Sequence, residues 1–118
     1  PRARGAARLR TGDFGGARAA LDEAVRQDER DVEALRLRAL ACLGRQDAVG
    51  ALADLDKAIE LAPRSAPLFR DRGALRRGQR NLELGRRDID RAIALDPGDP
   101  ASWRERCQIR GGQGDLEG

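Results

Sequence analysis

The sequence predicts an all-α protein, an α-solenoid of antiparallel helix pairs, on three observations. Arg-x-Arg pairs recur at Arg2 and Arg4, Arg36 and Arg38, Arg70 and Arg72, and Arg104 and Arg106, each pair 34 residues after the last. A fixed period of this length marks one supersecondary unit copied and stacked. Small residues keep the same register in three columns: Ala24, Ala58 and Ala92; Ala17, Ala51 and Gly85; and Gly5, Ala39, Gly73 and Cys107. Short side chains at fixed places let helix backbones approach closely. Within a row the apolar spacing is helical, as in Leu52, Leu55 and Ile59 of the second row and Ile89 and Ile93 of the third.

These columns divide residues 1–118 into one domain of about three and a half repeats, at 1–30, 31–64, 65–98 and an incomplete 99–118. The first row is a degenerate copy that keeps Gly5, Gly12-Asp13-Phe14, Ala17, Leu21 and Ala24. The second is expected to hold helices over 32–44 and 48–61, and the third over 66–78 and 82–95. Asp31, Ser65 and Asp99 recur just before a first helix, where a side-chain oxygen can accept from an unpaired backbone N–H, so all three are predicted N-caps. Pro100 follows at the first helical position, where its missing N–H costs nothing. Pro63 and Pro97 close the second helices, because proline cannot continue the hydrogen-bond ladder. In the last row RGGQGD, from Arg110 to Asp115, reads as the turn after the first helix.

Composition narrows the chemistry. A chain of 118 residues suits a single core, and with only Phe14, Phe69 and Trp103 as aromatics that core must be aliphatic. The net charge is +3, yet acids and bases are interspersed, which argues against a nucleic-acid protein, and no aromatic residues alternate with the arginines to stack bases. Histidine is absent, and Cys42 and Cys107 are far apart, so neither a zinc site nor a disulfide framework is indicated. Both cysteines are expected to be small buried thiols in a reducing, cytoplasmic setting. No apolar run approaches the roughly 20 residues of a membrane span. No acid–base dyad, nucleophile or phosphate loop stands out, so the expectation is a non-enzyme without cofactor or metal.

The columns resemble the tetratricopeptide repeat, a 34-residue helix-turn-helix with pattern W-x2-L-G-x2-Y, then A-x3-F, a small residue and P. The matching residues are Leu35, Arg38, Ala39, Cys42, Ala51, Leu55, Ala58 and Pro63 in the second row. The third offers Phe69, Arg72, Gly73, Arg76, Gly85, Ile89, Ala92 and Pro97, and the fourth begins with Trp103, Arg106 and Cys107. The chief departure is arginine at the usual leucine site: Arg4, Arg38, Arg72 and Arg106. These arginines are expected to be structural, partnered by Asp54 and Asp88, which also lie 34 residues apart. Two registers are open: within a repeat, Arg38 with Asp54 and Arg72 with Asp88; or across neighbours, Asp54 with Arg72 and Asp88 with Arg106.

The resemblance implies a right-handed superhelix whose first helices line a concave groove, and a non-catalytic scaffold that binds a peptide there. Arg2, Arg36, Arg70 and Arg104 fall at a groove position, where guanidinium groups at repeat spacing suit an acidic extended peptide or a terminal carboxylate. Their groove neighbours are Ala6, Leu40, Ala74 and Gln108, then Leu9, Leu43 and Arg77. Leu40 and Leu43 add room for aliphatic side chains, whereas the asparagines of a full carboxylate clamp are missing. A plain solvated charged face is the competing reading. Because the array stops inside a repeat, leaving Leu116 and the face near Leu95 and Trp103 uncapped, two alternatives stand beside the scaffold. The chain is a substrate-recruiting segment of a larger multidomain protein, or its ends pair between copies into a homo-oligomer.

Overall fold

The computed structural model describes residues 2–112, apart from the side chain of Arg2. Among the described residues there are seven α-helices and no strand: α1 (Arg2–Arg10), α2 (Phe14–Gln27), α3 (Val32–Gly44), α4 (Ala48–Leu61), α5 (Ala66–Gly78), α6 (Leu82–Leu95) and α7 (Pro100–Gly112). The limits of α3 to α6 are those read from the caps and prolines. Two compact units emerge, Pro1–Pro63 and Arg64–Gly118. In the first, α1 packs on α2, α2 on α3 and α3 on α4, and α1 also touches α3; in the second, α5 packs on α6, and α7 packs on both.

Each helix pair is closed by the same tight turn. The N–H of Asp13 donates to the carbonyl of Arg8 at 2.8 Å, that of Asp47 to Cys42 at 2.7 Å, and that of Asn81 to Arg76 at 2.9 Å. The residue before each takes a left-handed backbone, Gly12 at φ 80°, Gln46 at 60° and Arg80 at 65°. Only glycine adopts that region freely, so the turn is satisfied at some local cost in the second and third rows. Asp13 and Asp47 then cap the second helices, accepting from the N–H of Gly16 and of Gly50 at 3.0 Å. Two columns that the sequence reading passed over, 12/46/80 and 13/47/81, therefore set the turn.

The caps of the first helices differ in kind. Asp31 accepts from the Ala34 N–H at 3.1 Å and Asp99 from the Ala101 N–H at 3.1 Å, as expected for capping aspartates. Ser65 stands at the N-cap of α5 but its side chain makes no capping bond, which corrects the expectation. There Pro67 occupies one of the first helical positions and removes a backbone donor that a cap would otherwise serve. The reading of RGGQGD as a turn is also corrected in part. α7 continues through Gly111 to Gly112, and the remainder of that segment, like Leu116, lies outside the described residues.

The core of each unit is aliphatic. Ala17, Leu21, Ala34, Leu35, Ala39, Cys42, Ala51, Leu55 and Ala58 are buried in the first, and Leu68, Leu75, Ile89, Ala92 and Ile109 in the second. The small-residue columns mark the crossings. A Cβ on Gly73 would lie 2.6 Å from Cδ1 of Ile89 and 3.1 Å from the carbonyl oxygen of Gly85, and one on Gly85 would lie 3.1 Å from the carbonyl oxygen of Gly73. The first unit repeats the contact with Gly5, whose missing Cβ leaves room for the side chain of Leu21. Cys107 ends this column but is exposed, because no second helix covers it among the described residues, so only Cys42 fits the expectation of two buried thiols.

Two outcomes follow. Gly73→Leu should destabilise the protein by about 2–3 kcal/mol through overpacking. Gly78→Ala, with nothing near its Cβ, should be neutral or stabilising by up to ~1 kcal/mol; urea unfolding compares the two. Burial pushes the Cys42 thiol above its ordinary value, outweighing the pull of Arg18. A disulfide reagent should therefore modify Cys107 rapidly in the native protein and Cys42 only on unfolding, with mass spectrometry identifying the labelled site.

Candidate functional site

The most organised polar feature of each unit is an arginine–aspartate clasp joining the two helices of a repeat. In the first unit, Arg38 of α3 donates from Nε to Asp54 Oδ2 at 3.0 Å and from Nη2 to Asp54 Oδ1 at 2.7 Å. In the second, Arg72 of α5 bonds Asp88 of α6 in the same way, at 3.0 and 2.8 Å. The described pairs are those within one repeat. Asp88 also accepts from Arg76 Nη1 at 2.8 Å, so three N–H groups converge on a carboxylate that is 4% exposed. That arrangement makes burial of the charge tolerable, because a buried carboxylate without such donors would be strongly destabilising.

Arg38 has a second partner that the sequence reading missed. Its Nη1 donates to Asp22 Oδ1 of the preceding repeat at 3.1 Å. The hydrogen bonds that it donates to Asp54 raise the affinity of this guanidinium for its proton despite desolvation, and Asp22 adds to the effect. Arg106 meets Asp90, the corresponding acid in its own unit, at 3.5 Å. Asp22, Asp56 and Asp90 form a further column with the period of 34, and that register was the available signal.

The predicted groove residues separate into distinct environments. Arg36, Leu40 and Leu43 lie at successive turns of α3, with Arg36 and Leu43 half-buried and Leu40 exposed. In the second unit, Arg70 of α5 is held by the residue just before α7 and Arg77 by α7 itself. Arg70 Nη1 bonds Asp99 Oδ2, and Arg77 Nε bonds Glu105 Oε2 at 2.7 Å. Asp99 thus both caps α7 and binds an arginine. Burial raises its pKa, but the Arg70 bond, the Ala101 N–H and Ser102 together hold it below the ordinary carboxylate value. Arg104 and Gln108 of α7 are exposed, and Gln108 lines a shallow open pocket with Arg77, Gly78, Arg80 and Leu82. The Arg2 side chain lies outside the description. Aromatic contacts add to the arginine chemistry, with Arg72 and Arg91 5.6 and 6.0 Å from the Phe69 ring centre and Arg106 5.6 Å from that of Trp103.

The clasp predicts strong coupling. Asp88→Asn or Arg72→Gln alone should cost about 3 kcal/mol, because each removes one side of a largely buried, two-point ion pair. In a double-mutant cycle by chemical denaturation the two changes together should cost less than the sum of the single effects.

Comparison with known proteins places this geometry. A family model described as Tetratricopeptide repeat matches residues 2–66. No curated protein sequence matches the chain. Among solved structures, the first TPR of Spaghetti (RPAP3) bound to the HSP90 peptide SRMEEVD is similar with a TM-score of 0.91 at 20% identity, over 96% of this chain and 90% of that one. The second TPR domain of human RPAP3, in complex with the HSP70 peptide SGPTIEEVD, gives 0.85 at 24% identity, over 91% and 89% of the two chains. The Sgt2 TPR domain from Aspergillus fumigatus gives 0.90 at 14% identity, over 98% and 78%. With its 34-residue register, its all-α helical-repeat fold and a family match over more than half of its length, the chain belongs to the tetratricopeptide repeat family.

Proposed function

We propose that the chain is a non-catalytic protein-interaction scaffold that holds a peptide segment of a partner protein, one with aliphatic and acidic side chains close together. The observation that carries this reading is the stripe on α3. Leu40 is 37% exposed one turn from Arg36, and Leu43 follows on the next turn. An exposed leucine beside a guanidinium offers apolar contact and a carboxylate partner within one short stretch of helix. The peptides in the two RPAP3 structures, SRMEEVD and SGPTIEEVD, are of that mixed kind, with a valine among carboxylates.

The second unit supports the same reading through Arg104 and Gln108, which are exposed on α7. Arg70 and Arg77 enter differently than a row of open guanidinium groups would. A ligand carboxylate would have to compete there with Asp99 and Glu105, so those two arginines set the shape of the face more than they supply free charge.

Fluorescently labelled SRMEEVD is a suitable probe. It should bind the 118-residue chain with an affinity that falls as salt rises. Leu40→Asp should weaken binding about tenfold or more and Arg36→Ala several-fold, with helical circular dichroism unchanged. Equal affinity for wild type and Leu40→Asp would reject the α3 stripe as the contact surface.

A further inference from the structure

The clasp around Asp88 has an unfilled counterpart in the first repeat. In the second unit, Arg72 and Arg76, one helical turn apart on α5, surround the Asp88 carboxylate with three N–H donors. The period of 34 places Arg4 and Arg8 of α1 in the columns of Arg72 and Arg76, and Ala20 of α2 in the column of Asp88. The first repeat therefore keeps both arginines and has a methyl group where the carboxylate stands.

The correspondence holds in space. Arg4, Arg8 and Ala20 line one open pocket of about 270 Å³, together with Gly16, Ala19, Glu23 and Arg26. Three arginines face one glutamate on its wall. Arg8 lies close over α2 because residue 16 is glycine, and a Cβ there would collide with its guanidinium. The competing internal partners are weak ones. Arg8 Nη1 meets Asp13 at 3.2 Å with both side chains about half exposed, and Arg26 meets Glu23 on the exposed surface of α2. Among the described residues no carboxylate is paired with Arg4.

The geometry points to a carboxylate-binding site on the α1–α2 face, filled by an aspartate or glutamate side chain of an acidic segment in a partner protein. That side chain takes the place that Asp88 occupies within the chain. A carboxylate fits better than a tetrahedral anion, because the template is a planar group with one oxygen on Nε and the other on Nη2 of the same arginine. The site is separate from the α3 stripe, so Leu40→Asp should leave it unchanged.

The test completes the clasp from within. Hexaglutamate is titrated into the ¹⁵N-labelled 118-residue chain at low ionic strength, following the side-chain Nε–Hε signals of Arg4 and Arg8. Both should shift in a saturable way. Ala20→Asp should raise the melting temperature and weaken binding about tenfold or more, while Ala94→Asp, an equal charge change on exposed α6, should retain it. If Ala20→Asp fails to fold, Arg4→Gln is the second variant and should lose binding with helicity intact. Unresponsive arginine signals, equal losses in Ala20→Asp and Ala94→Asp, or retained affinity in Arg4→Gln would overturn the proposal. Inorganic phosphate shifting the same signals at lower concentration than hexaglutamate would overturn it in favour of a phosphate site.

Discussion

The structure depends on how a small helical repeat accommodates a charged residue at the crossing of its two helices. At the site where the family pattern has leucine, this chain has arginine, and burying a guanidinium is costly unless its donors are met. Asp54 and Asp88 meet them by side-on, two-point contact from the facing helix. The exchange of an apolar contact for a paired charge is workable in the second and third repeats because the partner recurs with the same period, so both crossings are satisfied by one local rule. The register of the helices is fixed as well, since a two-point bond has a narrower geometry than a leucine packed among other aliphatic groups.

The surrounding core is correspondingly plain. Alanine and glycine at the crossings bring backbones close, and leucine and isoleucine fill what remains. With so few aromatics, much of the structural identity of each repeat is carried by polar contacts: the clasp, the capping aspartates and the left-handed turn residue. Asp99 illustrates the economy of this scheme, since one carboxylate caps α7 and also fixes Arg70. Arg70 and Arg77 of the second unit are committed to internal pairs, and in the first unit the exposed Leu40 makes the α3 stripe the more distinctive surface.

Where the repeat rule is broken, chemistry becomes available. Ala20 interrupts the aspartate column, and the arginines opposite it are left around an open pocket. Leu40 interrupts a column that is otherwise alanine or glutamine, and it leaves an aliphatic side chain in water. In a repeat protein such interruptions are informative because neighbouring copies show what the position would hold if it served structure alone.

The sequence by itself determined the helical repeat, the limits of α3 to α6 and the pool of residues from which the clasps are drawn. Those features follow from periodicity and from local rules of capping and proline placement, which act over a few residues. Only the tertiary structure decided which carboxylate each arginine takes. Arg38 reaches both Asp54 and Asp22, and Arg77 turns to Glu105, because the choice depends on distances between helices that no linear pattern records. The same reason explains the exposed Cys107, which shares a column with buried residues but lacks the covering helix among the described residues. Burial is a property of what packs against a residue, and sequence register fixes the position without supplying the neighbour.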